Sequence, residues 1–160
     1  MVDKYTWVDL GSSYLPGDVQ AAYLWGQLEW SEKISSARIH CWNRYYSLLK
    51  DLDKKGIADL PQLTNDSKHN GHCFYIKLRQ PDLRPKIISY LKGAGILSVF
   101  HYVPLHSSEA GEKFGRFHGE DRFTTKESER ILRLPLFYSL KDQQIDYVCD
   151  KVSEFFSAQN

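Results

Sequence analysis

The stretch Cys73-Phe-Tyr-Ile-Lys-Leu78 decides the predicted fold, because its β-branched and aromatic residues are typical of a strand. A proline and an aspartate follow it and open a short helix over residues 83–92, and two glycines end that helix. Residues 96–103 predict a second strand. The middle of the chain is therefore expected to form a β-α-β unit.

The sequence after this unit predicts two helices and one more extended segment. Residues 104–120 predict a loop with a helical turn in it. Thr124 begins a helix, because a glutamate follows it three residues later in the pattern of a capping box. Residues 133–137 predict a short edge strand, since Pro135 cannot donate a ladder hydrogen bond. Residues 143–156 place their apolar side chains on one face and predict a final helix.

The sequence before the unit predicts a long helix. No proline interrupts residues 19–49, and apolar residues recur there mostly at intervals of three and four. A helix of about 30 residues would be about 45 Å long, which is more than a small domain usually holds. We therefore expect an α+β chain in three parts: a turn segment at 1–15, a long interdomain-type helix at 16–50 and a small α+β domain at 51–160.

Composition excludes several classes of function. The hydrophobic fraction of 42% and the aromatic fraction of 14% exclude a disordered chain. The net charge of +1 gives no electrostatic case for nucleic acid or an anionic membrane as a partner. No apolar run approaches a membrane span of about 18 residues, and no signal peptide is recognisable. Three cysteines without a CxxC pair predict reduced thiols in a cytoplasmic protein.

The six histidines are the first candidates for chemistry, since the sequence contains no Gly-rich phosphate loop, GxSxG elbow or HExxH motif. His69 and His72 lie in a polar loop, and we interpret them as surface residues, so no metal site is predicted. His101 and His106 flank Tyr102-Val-Pro-Leu105 at the end of a predicted strand, where scaffolds present functional side chains. A hydrogen-bonded structural role for these two histidines is an equal alternative.

A second candidate region is Phe114-Gly-Arg-Phe-His-Gly-Glu-Asp-Arg-Phe123. It mixes Arg116, His118 and Arg122 with aromatic residues and glycines, and that combination suits an anionic or sugar-bearing ligand. From the residues alone, a plain solvated loop is the alternative.

Four motifs occur in an order that is typical of one family. Gly11-Ser-Ser-Tyr-Leu15 precedes Gln20-Ala-Ala22 on the predicted long helix. His101-Tyr-Val-Pro-Leu-His106 and Leu134-Pro-Leu-Phe-Tyr138 follow downstream. These segments resemble the turn, the Gln-Ala-Ala helix, the His-Tyr-x-Pro-Leu-His segment and the late Leu-Pro segment of the DegT/DnrJ/EryC/StrS sugar-nucleotide aminotransferases, which depend on pyridoxal phosphate. The resemblance spans essentially the whole chain.

The resemblance implies a particular fold and an incomplete enzyme. The fold is the C-terminal small domain of a fold-type I aminotransferase, in which a long N-terminal helix leads to a small, mainly antiparallel sheet flanked by helices. In family members an N-terminal domain carries the Schiff-base lysine and most ligands of the cofactor phosphate. We expect that domain to be absent here, Lys126 to be a surface lysine, and the chain alone to be inactive and to bind no pyridoxal phosphate.

The resemblance also assigns roles to individual residues. They are Ser13 and Tyr14 for the cofactor phosphate of a neighbouring subunit, His101, Tyr102 and His106 for the substrate sugar or the cofactor, and Arg116 and Arg122 for the pyrophosphate of the substrate. Ser13 and Leu15 stand where much of the family has Asn and Arg, and a subgroup of the family shares both changes. A serine hydroxyl can still donate a hydrogen bond to a phosphate, whereas leucine cannot replace the charge.

Partners follow from the same resemblance. The complete enzyme would transfer an amino group from glutamate to the C4 keto group of a dTDP-sugar. We expect a homodimer or a higher oligomer through Trp25 and Trp30, because exposed apolar surface tends to associate. Two alternatives stay open: a non-catalytic module that binds a sugar nucleotide or a partner, and one half of a split transaminase completed by a separate N-terminal chain.

Overall fold

The computed structural model describes residues 14–159. The chain divides into two compact units, Met1–Lys33 and Ile34–Asn160. Ser13 and the rest of the predicted turn segment before Tyr14 lie outside the described residues. Within the described part of the chain, no helix has both the length and the apolar character to cross a membrane.

The predicted long helix is two helices in the structure. Helix α1 spans Asp18–Glu29, and helix α2 spans Ser31–Lys54. Trp30 separates them: its φ of −102° and ψ of 8° depart from helical values, and its N–H donates to the carbonyl of Gln27 at 3.2 Å. Serine favours helix starts because its side chain competes for backbone hydrogen bonds elsewhere in a helix. The expectation of one uninterrupted helix is therefore wrong, although the segment is helical.

Helix α1 buries none of its side chains. Its apolar residues are largely open to solvent, and Tyr23 and Trp25 are 73% and 67% exposed. Gly17 precedes the helix, and the side chain of Gln20 accepts a hydrogen bond from its N–H at 3.1 Å. The first unit therefore presents an apolar surface without a core of its own among residues 14–33.

The second unit is built around a four-stranded antiparallel sheet with the order β1-β2-β4-β3. The elements after α2 are β1 (Ala58–Asp59), β2 (Phe74–Leu78), α3 (Leu83–Gly93), β3 (Val99–Phe100), a 3-10 turn (Leu105–Ser107), α4 (Glu109–Phe114), α5 (Thr124–Arg130), β4 (Ile131–Leu134) and α6 (Asp142–Ser157). Strands β2 and β3 are both antiparallel to β4, so β2-α3-β3 is a split β-α-β unit with β4 between its strands. This arrangement confirms the predicted α+β fold with a small, mainly antiparallel sheet.

Strand β4 corrects one expectation. The predicted edge strand at residues 133–137 is the strand Ile131–Leu134, and it lies between β2 and β3 rather than at an edge. Its residue Arg133 pairs with Tyr75 on one side and with Val99 on the other. Pro135 follows the last residue of the strand, so the missing N–H ends the ladder instead of confining the strand to an edge.

One face of the sheet forms the core. Alternate residues of β2 and β4 are buried, as the period of two in a strand requires. They join one cluster with side chains of the helices α2, α3 and α6, among them Phe74, Ile76, Leu132, Tyr45, Leu49, Ile87, Leu91, Ile145 and Val152. The apolar face predicted for the final helix is confirmed by this cluster.

Helix α5 is tied to the sheet by ion pairs. Lys77 on β2 contacts Glu127 at 2.8 Å, and this hydrogen bond is the main reason why the pKa of Glu127 lies below its ordinary value. Arg130, whose side chain is 13% exposed, contacts Asp59 on β1 at 2.6 Å and donates to the carbonyl of Leu78 at 2.8 Å. These contacts fix the end of the loop that carries the candidate site.

Candidate functional site

The predicted site residues lie in the chain between β3 and β4. Pro104 precedes the 3-10 turn Leu105–Ser107, and Ser108 caps α4 by accepting the N–H of Gly111 at 3.0 Å. A Cβ at Gly111 would lie 1.6 Å from the carbonyl oxygen of Leu105, so only glycine permits this close approach of two backbone segments. The turn therefore places His106 beside a close contact between two backbone segments.

His106 makes the most specific contacts of the predicted residues. Its Nε2 lies 3.0 Å from Oδ2 of Asp121 and 3.5 Å from Oγ1 of Thr125. Its ring packs against that of Phe117 at a tilt of 42°, with a centroid distance of 4.4 Å. The side chains of His106 and Asp121 are each 20% exposed.

Asp121 also starts helix α5. Its Oδ1 accepts the N–H of Thr124 at 2.9 Å, and its Oδ2 accepts the N–H of Thr125 at 3.2 Å and the hydroxyl of the same residue. The hydrogen bond from the Thr125 hydroxyl is the main reason why the pKa of Asp121 lies below its ordinary value. The capping box predicted at Thr124 is wrong in detail, because Thr124 is the first helical residue and Asp121 supplies the acceptors.

A cavity of about 550 Å³ lies beside this pair. Its wall combines basic groups with aromatic and small apolar side chains, and the lining residues are Leu105, His106, Ala110, Gly111, Phe114, Gly115, Arg116, Phe117, His118 and Thr124. His106 and Arg116 are thus brought together as predicted residues of one site. Arg116 and His118, which can donate to an anion, lie beside two phenyl rings and suit a ligand with a phosphate and a flat apolar part.

The other predicted residues lie apart from this cavity. Tyr102 is 75% exposed and lines a smaller cavity of about 260 Å³ together with Arg84 and Thr125. The ring of His101 meets Tyr102 edge-on at a centroid distance of 5.2 Å. Arg122 does not line the large cavity and pairs with Glu120 at 3.1 Å.

At the N-terminal end, Tyr14 is 90% exposed. Ser13 lies outside the described residues, as noted for the turn segment. Both residues belong to the first compact unit, whereas the cavity belongs to the second.

Asp121 and Thr125 were not predicted from the sequence. The signal for Asp121 was an aspartate just ahead of a helix start, which is a common place for a capping residue. Its second role, the contact with His106, depends on the path of the loop and has no local sequence signal.

The side chains of the cavity wall limit which cofactors it can hold. Within residues 14–159, no group of three or more His, Cys, Asp or Glu side chains is placed to hold a metal ion. No lysine lines the cavity, so it does not fit the covalent attachment of pyridoxal phosphate to a lysine. Its basic residues fit the phosphate groups of a nucleotide instead.

The sequence matches one family model. The model of the DegT/DnrJ/EryC1/StrS aminotransferase family covers residues 2–153. Three curated relatives are similar over most of this chain. The pleiotropic regulatory protein of Geobacillus stearothermophilus is 26% identical over 96% of this chain and 40% of its own length. GDP-perosamine synthase of Escherichia coli O157:H7 is 26% identical over 98% of this chain and 41% of its own length. The dTDP-4-dehydro-2,3,6-trideoxy-D-glucose 4-aminotransferase of Saccharopolyspora spinosa is 27% identical over 89% of this chain and 35% of its own length.

Two solved aminotransferase structures superpose on most of this chain. A DegT DnrJ EryC1 StrS aminotransferase from Brucella abortus superposes with a TM-score of 0.78 at 25% identity, over 96% of this chain and 39% of its own. DesV of S. venezuelae, in complex with a ketimine intermediate, superposes with a TM-score of 0.77 at 25% identity, over 96% of this chain and 40% of its own. The chain spans about two fifths of the length of the relatives that it matches.

Proposed function

This chain belongs to the DegT/DnrJ/EryC1/StrS aminotransferase family, and from this premise we propose that it is the C-terminal portion of a sugar-nucleotide transaminase that depends on pyridoxal phosphate. The complete enzyme would move an amino group from glutamate to the C4 keto group of a dTDP-4-keto-6-deoxyhexose. Within the family, we propose the activity of a dTDP-4-amino-4,6-dideoxygalactose transaminase, which supplies an aminosugar of enterobacterial common antigen, on the resemblance of the sequence motifs. One similar relative is named for a dTDP-linked 4-dehydro sugar, which supports this class of substrate.

The cavity beside His106 is the observation that carries the proposal. Its volume of about 550 Å³ is within the range of small-molecule sites, and its wall offers a guanidinium, two imidazoles and two phenyl rings. The planar fork of Arg116 matches two oxygens of a diphosphate, and His106 would face the sugar. Arg122 would have to leave Glu120 before it could bind a phosphate, which makes it the weaker ligand of the two arginines.

The smaller cavity extends the same proposal. His101 and Tyr102 present their rings at the end of β3, and Thr125 lines this cavity while contacting His106. We assign these rings to the sugar or to the cofactor. Pyridoxal phosphate supplies the carbon–nitrogen chemistry when it is bound to the complete enzyme. The chain alone is expected to be inactive, because Lys126, its most family-like lysine, lies exposed on α5 and outside the cavity lining.

The first compact unit would serve a neighbouring subunit. Ser13 and Tyr14 are assigned to the cofactor phosphate of that subunit, by the resemblance of the turn in which they lie. Trp25 and Trp30, which are 67% and 55% exposed, supply apolar surface for a homodimer or a higher oligomer. A light-scattering mass of one chain at micromolar concentration would contradict this association. All three cysteines are free thiols, which agrees with a reducing compartment such as the cytoplasm.

Calorimetric titration with dTDP-glucose tests the proposal. We expect the chain to bind this ligand, and Arg116→Met to weaken binding by about tenfold or more, since a charge-assisted hydrogen bond contributes about 1.5–3 kcal/mol. Arg79→Met is the matched control, because Arg79 pairs with Asp59 and does not line the cavity, and it should bind as the wild type does. Equal losses in the two variants, or no binding by the wild type, would contradict the proposed site.

Absorption spectroscopy with pyridoxal phosphate tests the expectation that the chain alone does not bind this cofactor through a lysine. The chain alone should not develop the visible band of a lysine Schiff base. A stable band that disappears in Lys126→Ala would show that this chain carries its own cofactor lysine. That result would contradict the proposal that the N-terminal part of the enzyme supplies this lysine.

A non-catalytic role is the alternative, and one relative favours it. The pleiotropic regulatory protein of Geobacillus stearothermophilus is named for regulation rather than for transamination. Mixing the chain with the N-terminal part of a relative and assaying transamination distinguishes a non-catalytic module from one half of a split transaminase. Restored transamination would support a split enzyme, and ligand binding without any restored activity would support the module.

A further inference from the structure

We propose that Asp121 is a positioning residue: it holds His106 in the tautomer with the proton on Nε2, so that Nδ1 accepts a hydrogen bond from a hydroxyl group of a bound sugar. The identity of the ligand rests on the proposed function. The role of Asp121 rests on geometry alone and can be tested without any ligand.

The contact between the two side chains fixes where the proton lies. Oδ2 of Asp121 is 3.0 Å from Nε2 of His106, and an ionised carboxylate can only accept hydrogen bonds. At this distance two lone pairs would repel each other, so the contact favours the tautomer with a proton on Nε2. In a neutral imidazole the other nitrogen, Nδ1, then has a free lone pair and acts as an acceptor.

Asp121 cannot easily turn away from this contact. Its Oδ1 is held by the N–H of Thr124 at 2.9 Å, and its Oδ2 also receives the hydroxyl of Thr125. Backbone N–H groups are obligatory donors, so they fix the plane of the carboxylate. On the other side, Phe117 packs against the imidazole at 4.4 Å between ring centroids and limits its rotation. The histidine is thus clamped between a carboxylate and a phenyl ring.

The remaining nitrogen is available for a ligand. Among residues 14–159, Nδ1 of His106 has no hydrogen-bond partner, and the residue lines the cavity of about 550 Å³. A neutral acceptor suits an O–H donor and repels the acceptor oxygens of an ionised diphosphate. The site is therefore divided: Arg116 takes the diphosphate, and His106 takes a hydroxyl of the sugar.

Nitrogen-15 NMR of the histidine rings tests the tautomer directly. In the wild type, at a pH where the ring is neutral, His106 should show a protonated Nε2 and an unprotonated Nδ1. A ring protonated on Nδ1 would overturn the proposal, and this measurement needs no variant.

The variant Asp121→Asn gives a sharper test, because it should reverse the tautomer. At the Oδ1 position the amide oxygen of asparagine is within reach of the N–H groups of both Thr124 and Thr125, at 2.9 and 3.4 Å, whereas at the Oδ2 position it would reach only that of Thr125. The oxygen is therefore expected at Oδ1, and the NH2 group takes the place of Oδ2 and donates to Nε2 of His106. The proton of the imidazole then moves to Nδ1. Glu120→Gln is the matched control, since Glu120 is exposed and pairs with Arg122. An Asn variant that keeps the proton on Nε2 would show that Asp121 does not set the tautomer.

Ligand titrations test the hydroxyl contact. Asp121→Asn should weaken binding of dTDP-glucose about fivefold, the effect of one ordinary hydrogen bond, and leave binding of dTDP unchanged. Equal losses for the two ligands would overturn the contact with a sugar hydroxyl, even where Arg116→Met confirms the proposed function. No binding of dTDP-glucose by the wild type would overturn that contact together with the proposed function, whereas the NMR result still decides the role of Asp121.

Discussion

Replacing Tyr45 by phenylalanine should make the protein more stable. Tyr45 is fully buried in the core, where its ring stacks on Phe74 at 5.1 Å between centroids. Its hydroxyl has no hydrogen-bond partner within the described residues, and burial raises the pKa of its phenol well above the ordinary value. An unsatisfied buried polar group costs about 1–3 kcal/mol, and the oxygen returns only a few tenths of a kcal/mol in dispersion contacts. Tyr45→Phe keeps the ring and removes the cost, so we expect a gain of about 1 kcal/mol.

Urea unfolding followed by circular dichroism measures this gain. The midpoint should rise without a change in the slope, and the melting temperature should rise by about 2–4 °C for a chain of this size. Tyr46→Phe is the matched control, because Tyr46 is 40% exposed and stacks on Trp42 at 5.3 Å, and it should change stability by less than about 0.5 kcal/mol. A loss of about 1 kcal/mol in Tyr45→Phe would refute the reasoning, since it would show that the hydroxyl is bonded in the folded protein.

Acid should loosen helix α5 before the rest of the second unit. The pKa of Asp121 is lowered in the folded state, chiefly by the Thr125 hydroxyl. Its contribution to stability is therefore present above the unfolded aspartate pKa of about 3.9 and is lost as the pH falls through the folded value. Amide exchange of α5 at falling pH checks this, and Asp121→Asn should flatten the dependence of the exchange rate on pH. Gly71→Ala should destabilise the protein by about 3 kcal/mol, because Gly71 has a φ of 61° and a Cβ there would lie 2.8 Å from the backbone of Arg38. Gly56→Ala, at a φ of 66° with open space around it, should cost only about 1 kcal/mol in the same urea assay, and equal costs would show that close approach is not what selects glycine at Gly71.

Elements with a strong local pattern could be predicted from the sequence. The run around Phe74–Leu78 has β-branched and aromatic residues, and the period of the final helix places its apolar residues on one face. Strand β1, Ala58–Asp59, has only two residues and no such pattern, because its pairing with β2 is what makes it a strand. For the same reason the sequence could not tell that β4 is central: the order of strands is decided by contacts between distant residues.

In the candidate site, too, some residues have a signal in the sequence and others do not. The residue types of His106 and Arg116 favour a ligand, and both line the cavity, while their roles in binding stay a prediction. Asp121 has no such signal, since its contact with His106 joins positions fifteen apart through the path of the chain around α4. The break at Trp30 was also missed, because apolar periodicity continues across it and only the backbone geometry of one residue ends α1.

The residues that line the large cavity come from one part of the chain. All ten lining residues come from the continuous segment between Leu105 and Thr124, within the second unit. Two contacts inside that segment shape it: the close backbone approach of Gly111 to Leu105, and the hydrogen bond from the N–H of Thr124 to the carboxylate of Asp121. The wall of this cavity is therefore supplied by one stretch of this chain. Under the proposed function, binding of a sugar nucleotide and transamination are separable properties, and we expect the chain to bind the ligand without reacting.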